Sequence, residues 1–215
     1  MVKRGSGVVL IVEGGGAERS DLKVECRRGF HRLLEQAGWK SRMPTIIAGG
    51  SRRDAFEKFK WGLEEFLAGR SDHLPLLLVD SEGPVKAGSP WAHVKARKGD
   101  GWARPEAAQE DHLHLMVECM EAWFLSDREA LERFFGKGFR ESALPAASKN
   151  VETAQKVEIY AALEKASRDT TKGTYAKGPH SFKLLATIDP AKVRASSPWA
   201  ERFFSVVDRL DALAR

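Results

Sequence analysis

Val8-Val9-Leu10-Ile11-Val12-Glu13-Gly14-Gly15-Gly16 sets an apolar, β-branched run directly against a carboxylate and three glycines. Leu76-Leu77-Leu78-Val79-Asp80-Ser81-Glu82 repeats the pattern with two carboxylates one residue apart. Uninterrupted apolar runs of this length read as strands of a parallel sheet buried on both faces. In such sheets ligands collect beyond the carboxyl ends of the strands, so Glu13, Asp80 and Glu82 are expected to meet at one edge. Three carboxylates held together repel one another, and a hard divalent cation with oxygen ligands relieves the repulsion. The reading is a Mg²⁺ site, with Mn²⁺ as the alternative ion and Glu13, Asp80 and Glu82 as ligands.

The surrounding sequence supplies the rest of an α/β pattern. Leu22, Cys26, Phe30, Leu33, Leu34 and Ala37 share one face of a helix over 18–37, with Gly38 as its C-cap. A short strand over 43–48 follows, then a helix over 54–67 carrying Phe56, Phe59, Leu63 and Phe66 and broken by Gly69. The third strand runs from Leu74 or Leu76 to Val79. This β-α-β-α-β order predicts right-handed crossovers. Residues 83–110, punctuated by Gly83-Pro84, Gly88-Ser89-Pro90, Gly99-Asp100-Gly101 and Arg104-Pro105, read as a long ordered loop anchored by Trp91 and Trp102. A fourth strand is expected over 112–118 with Leu113, Leu115 and Val117 on one side. A helix over 120–135 follows, interrupted near Ser126-Asp127. Further helices are expected over 151–166 and 182–188, with a turn at Pro190 and a terminal helix through Phe203, Val206, Val207, Leu210 and Leu213. The expected division is an α/β core over 1–135 with the inserted loop 83–110, and a mostly helical extension over 136–215 packing on that core.

The 215 residues suffice for a full core, and 42% apolar with 30% charged residues suits a globular chain. A net charge of +5 permits a phosphate-bearing partner without establishing one. Cys26 and Cys119 make neither a disulfide framework nor a zinc knuckle, and read as reduced, buried thiols. The apolar run after the basic start is too short for an export signal, and no stretch reaches the ~20 apolar residues that span a bilayer. A cytoplasmic protein without membrane contact is the expectation.

Around the carboxylates, Gly14, Gly15 and Gly16 permit positive φ and turn backbone amides toward a phosphate or a metal-bound water. Glu18 either caps the next helix or joins the site. Among Glu118, Glu121 and Asp127, Glu121 is the choice to complete it. Arg52, in Ser51-Arg52-Arg53 after the second strand, falls at the same edge and suits a bidentate phosphate clamp. The loop Thr171-Lys172-Gly173-Thr174-Tyr175-Ala176-Lys177-Gly178-Pro179-His180 offers Lys172, Lys177 and His180 to phosphate, with Lys177 placed to stabilise transition-state charge. It lacks the Gly-Lys-Ser/Thr ending of a P-loop, so no autonomous ATPase is expected. His93 and His180 are candidate proton shuttles. His112 and His114 alternate along a strand and have no partners at zinc-site spacing. Trp91, Trp102 and Trp199 either pin loops or stack on bases.

Glu13-Gly14 and Asp80-Ser81-Glu82 resemble the two acidic elements of the Toprim fold, the topoisomerase–primase domain also found in nucleases of the overcoming-lysogenisation-defect type. Glutamate stands here where the usual pattern ends in aspartate, and the spacing from Gly14 to Glu18 is one residue longer. A wider resemblance runs through Val79-Asp80-Ser81-Glu82-Gly83-Pro84-Val85, Met116-Val117-Glu118-Cys119-Met120-Glu121-Ala122-Trp123-Phe124-Leu125-Ser126-Asp127, Gly173-Thr174-Tyr175-Ala176-Lys177-Gly178 and Ser197-Pro198-Trp199-Ala200. These blocks are similar to a bacterial family of unknown function with a Toprim-like core, often encoded beside ABC- or SMC-like ATPases in defence or mobile gene clusters. The resemblance implies an ATPase partner and a role as effector of a defence system.

Together these readings lead to metal-dependent hydrolysis of nucleic-acid phosphodiesters, DNA or RNA, by Glu13, Asp80, Glu82, Glu121 and Lys177. Gly14, Gly15, Gly16, Arg52, Lys172 and His180 would hold phosphate. A non-catalytic nucleic-acid-binding or regulatory subunit of an ATPase complex is the alternative, and phosphoryl transfer to a small nucleotide a third.

Overall fold

The computed structural model describes residues 7–16, 20–40 and 43–213. Glu18 and the basic start of the chain lie outside the described residues. Four strands, β1 (Val8–Val12), β2 (Thr45–Ala48), β3 (Leu74–Asp80) and β4 (Leu113–Met116), form one all-parallel sheet in the order β2-β1-β3-β4. The architecture is the expected α/β one, a parallel sheet flanked by helices and consistent with a Toprim-like fold. Val12 pairs with Leu78 and Asp80 with Met116, so the carboxyl ends of the strands line one edge. Beyond the strands, Glu13 N–H still donates to Leu78 (2.9 Å) and Ser81 N–H to Met116 (2.9 Å). The ladder therefore carries the two acidic segments past their strands in register.

The continuity of the apolar runs has a direct cause, because both faces of the sheet are covered. Leu10, Val12, Leu76, Leu78 and Met116 join one buried cluster with Phe30 and Leu33 of helix α1 (Ser20–Leu34). On the other face Ile11, Leu77, Val79, Leu113, Leu115 and Val117 meet Phe56, Phe59 and Leu63 of α2 (Arg52–Leu67). The first cluster also takes in Leu131 and Phe135 of α4 (Arg128–Phe135), Ile159 and Leu163 of α5 (Lys156–Ser167) and Phe182 and Leu185 of α6 (Ser181–Leu185). Val193 of α7 (Pro190–Ser196) and Phe203 and Phe204 of α8 (Pro198–Leu213) complete it.

Several elements depart from expectation for readable reasons. Residues 83–110 contain a helix, α3 (Pro90–Ala96), started by Ser89, whose hydroxyl accepts from Ala92 N–H, and by Pro90 in the first turn. Trp91 and Trp102 are buried, which removes them as base-stacking surfaces, while Trp199 is half-buried. Helix α2 starts at Arg52, two residues early, because Ser51 and Asp54 form a capping box. The helix expected over 120–135 breaks where foreseen: Met120–Ser126 is 3₁₀, and Asp127 caps α4. The helix expected over 151–166 is shorter, a 3₁₀ turn at Val151–Thr153 preceding α5. Pro190 opens a helix behind the Asp189 cap instead of marking a turn. Cys26 and Cys119 are both buried and free, and burial pushes the Cys26 thiol up to about 12. No helix among the described residues is long and apolar enough to cross a membrane.

His114 lies fully buried in β4, edge-on to Phe203 at 5.3 Å. Burial, aided by Arg202, pushes its pKa from 6.5 down to about 3. The unfolded chain therefore binds the extra proton between those values. Its contribution is fully present above pH 6.5 and is lost as pH falls toward 3. Urea midpoints measured from pH 7 to 4.5 should fall less steeply for His114→Leu than for the wild type; parallel curves would show that His114 does not titrate this way.

Candidate metal centre

Glu13, Asp80 and Glu82 each present a carboxylate oxygen, and the three oxygens lie within 4.8 Å of one another. The strand order explains the meeting. Going outward from β1, the chain first adds β2 on one side and then β3 on the other, so the crossover direction reverses between β1 and β3. Loops leaving such a switch point diverge and open a crevice beyond the strand ends. Glu13 leaves β1 there, and Asp80 ends β3. Glu82 arrives by a turn. The strand stops at Asp80, and Glu82 takes a left-handed φ of 60°, with its N–H donating to Glu118 (2.9 Å). That turn, rather than a two-residue strand repeat, brings its carboxylate back to Asp80.

The cluster is held by two cations. Arg52 donates to Glu13 (3.0 Å) and to the Asp80 carbonyl. It also forks onto Asp100 at 2.8 and 2.7 Å and lies 4.8 Å over Trp102, which stacks on Phe56. Arg52 is thus tethered on three sides as a clamp of the cluster. Lys156, at the start of α5, places Nζ 2.6 Å from Glu82 and 3.7 Å from Asp80, while its backbone N–H donates to Glu118 (2.6 Å). Sequence reasoning missed Lys156. The available signal was a lysine opening a helix, where the macrodipole disfavours a cation.

Burial dominates the electrostatics. It pushes Asp80 up to about 8, with the Glu13 and Glu121 charges adding to the rise. Burial likewise raises Glu13, with Arg52 opposing. At Glu82 burial is outweighed only by the Lys156 hydrogen bond together with the charges of Lys156, Arg52 and Arg97, and its pKa is lowered. Asp80 Oδ1 accepts from Met120 N–H at 2.9 Å, which fixes the carboxylate's orientation. Three hard oxygen donors of this kind suit Mg²⁺ or Mn²⁺ better than a soft ion.

A cavity of about 210 Å³ opens beside Glu13 and Asp80. Gly14, Gly15, Gly16, Glu121 and Lys177 line it, with an apolar wall of Leu22, Met116, Met120 and Phe182. Gly14, Gly15 and Gly16 all have positive φ, and a Cβ on Gly14 would stand 3.0 Å from the Phe182 ring. Glu121, 1% exposed, accepts from the hydroxyls of Tyr160 (2.9 Å), Tyr175 (2.9 Å) and Ser181 (3.3 Å). Its charge is satisfied by that network rather than by a place among the three clustered carboxylates. Lys177 lines the cavity with Nζ 5.5 Å over the Tyr160 ring.

Lys172 and His180 fall elsewhere. Lys172 sits 5.0 Å over Phe134, and His180 packs against Phe134, Phe135 and Tyr175 with Nδ1 accepting from Ala176 N–H (3.1 Å). Neither lines the cavity. His93 borders the other side of the cluster, its Nε2 2.8 Å from the Ser81 carbonyl. Asp127 is committed to capping α4 and pairing with Lys192.

Residues 12–208 match the family described as a domain of unknown function, DUF4276. The chain belongs to that family. No curated protein and no solved structure matches it.

Asp80→Asn keeps the acceptor for Met120 and removes one buried like charge. In EDTA at pH 8 it should melt above the wild type, by about 2–4 °C per kcal/mol relieved. Mg²⁺ or Mn²⁺ should raise the wild-type Tm and leave Asp80→Asn unmoved. Lys156→Gln, freed of a competing cation, should tighten Mg²⁺ roughly tenfold, about the value of one hydrogen bond to a charged group. A metal response equal in wild type and Asp80→Asn would rule out this centre.

Proposed function

We propose that the protein is a metal-dependent phosphodiester hydrolase acting on nucleic acid. The observation that carries the reading is the convergence of Glu13, Asp80 and Glu82 within 4.8 Å at the switch point of a parallel sheet. Those three residues would hold Mg²⁺ or Mn²⁺. The ion would neutralise phosphoryl oxygens and acidify a water for attack. Lys177, exposed at the cavity rim, meets the substrate phosphate; the Gly14 N–H is spent on the Gly50 carbonyl (2.9 Å), contrary to its expected role, so backbone donors to phosphate fall to Gly15 and Gly16. Lys156 and Arg52 keep the carboxylates oriented while the site waits for substrate. Glu121, with its three hydroxyl partners, fixes Tyr160 and Tyr175 behind Lys177.

The resemblance of the acidic elements to Toprim nucleases supports this reading. The wider resemblance to the bacterial family of unknown function supports an ABC- or SMC-like ATPase as partner and a role in defence, and a sequence without a P-loop motif fits a division of labour. A regulatory, non-catalytic subunit is the second reading. It is favoured by the Arg52–Glu13 and Lys156–Glu82 ion pairs, which are what a structural network would show.

Cleavage of a mixed DNA and RNA panel in Mg²⁺ or Mn²⁺ separates the two. The chain is assayed alone and with any ATPase that co-purifies with it, with and without ATP. Activity should vanish in EDTA and drop by roughly 10²–10³-fold or more in Asp80→Asn, with unchanged circular dichroism. Wild type and Asp80→Asn cleaving equally would overturn the metal-site assignment, and neither cleaving in any arm would leave the regulatory reading in its place.

A further inference from the structure

Two clefts of unlike character flank the three carboxylates. Glu13 and Asp80 border the 210 Å³ cavity, whose walls are Leu22, Met116, Met120 and Phe182 and whose rim carries Lys177. Glu82 borders a second, shallower groove of about 290 Å³ lined by Lys86, His93 and Arg97. The carboxylates stand between an apolar recess and a basic trough. A polynucleotide has the same two faces: bases are apolar on their flat sides, and the backbone is a chain of anions.

The recess is small. Ligand pockets for drug-sized molecules run to about 300–1,000 Å³, so this one takes a single nucleoside unit and no stretch of strand. A strand interior would have to enter and leave by the same opening, because Phe182 and Met116, 7% and 1% exposed, wall the recess. The open groove has no such limit; exposed Lys86, with Arg97 beside it paired to Asp100 (2.8 Å), suits phosphates trailing away from the cluster. Sequence selectivity is not expected, since the recess meets the base mainly with apolar side chains and Glu121 is already committed to three hydroxyls.

We propose that the recess binds one terminal nucleotide unit, so that the protein works on the ends of single strands and releases mononucleotides. This rests on the phosphodiesterase reading above. In each cycle water adds across one P–O bond: its oxygen goes to phosphorus, and the leaving sugar oxygen takes a proton. The products are a mononucleotide and a strand one unit shorter. A free mononucleotide offers the same chemistry to the recess, as ligand or product.

The test compares a linear single-stranded oligonucleotide with the same sequence closed into a circle, in Mg²⁺, with products resolved by chromatography. Calorimetry with a nucleoside 5′-monophosphate in Mg²⁺ supplies a readout independent of turnover. Leu22→Trp fills the recess from the half-buried face of α1 and leaves every charged residue of the site in place. The expected result is mononucleotide release from the linear strand, at least a tenfold slower reaction on the circle, and a tenfold weaker monophosphate affinity in Leu22→Trp with unchanged Tm. Mononucleotide binding without strand cleavage would assign the recess to free nucleotides and overturn end-directed cleavage. Equal cleavage of circle and linear strand would overturn the proposal while leaving the hydrolase intact. No cleavage and no monophosphate binding would overturn both.

Discussion

Three carboxylates within 4.8 Å of one another, one of them buried, cost free energy that the surrounding chain has to offset. Much of the local architecture answers to that cost. Arg52 reaches Glu13 and the Asp80 carbonyl, and Lys156 reaches Glu82 and Asp80. Each cation opens a helix, α2 and α5 respectively, where the helix dipole opposes positive charge. Each therefore sits against the local preference of its own helix and is retained by the cluster. Local rules broken at one place, with compensation from distant segments, are a mark of functional sites.

The clamp draws on segments far apart in the chain. Asp100 and Trp102 hold Arg52 from the stretch after α3, and Glu118 anchors the first residue of α5 from the turn after β4. Loops that looked independent are thereby tied to the sheet edge. The Tyr160–Glu121–Tyr175 hydroxyl network does the same on the cavity side, fastening α5 and the 171–180 loop to the segment after β4. Buried polar networks of this kind hold only when each member is satisfied, and Glu121 accepts three hydrogen bonds.

The sheet and the acidic trio were legible because they rest on short-range signals. A strand covered on both faces must be apolar throughout, and a parallel sheet gathers its strand ends at one edge, so Val8–Glu13 and Leu76–Glu82 carried the placement of Glu13 and Asp80. What escaped is what depends on tertiary contact. Lys156 and Asp100 are ordinary charged residues until α5 and the 97–102 segment fold back onto the edge. Lys172 and His180 share a polar stretch with Lys177, yet aromatic rings from α4 capture the first two and leave only Lys177 at the cavity. Helices α3 and α7 were readable after all: Ser89-Pro90 and Asp189-Pro190 each pair a capping side chain with a first-turn proline. Reading those prolines as breakers rather than starters hid both helices.

The central claim is that Glu13, Asp80 and Glu82 form a divalent metal site. A crystal of the protein soaked in Mn²⁺, with anomalous diffraction recorded on both sides of the manganese edge, tests it most directly. The account predicts a single dominant anomalous peak at coordination distance, about 2.0–2.6 Å, from all three carboxylates, with the Lys156 ammonium moved away from Glu82. A cluster without a peak, Lys156 still bridging Asp80 and Glu82 at saturating Mn²⁺, would contradict it.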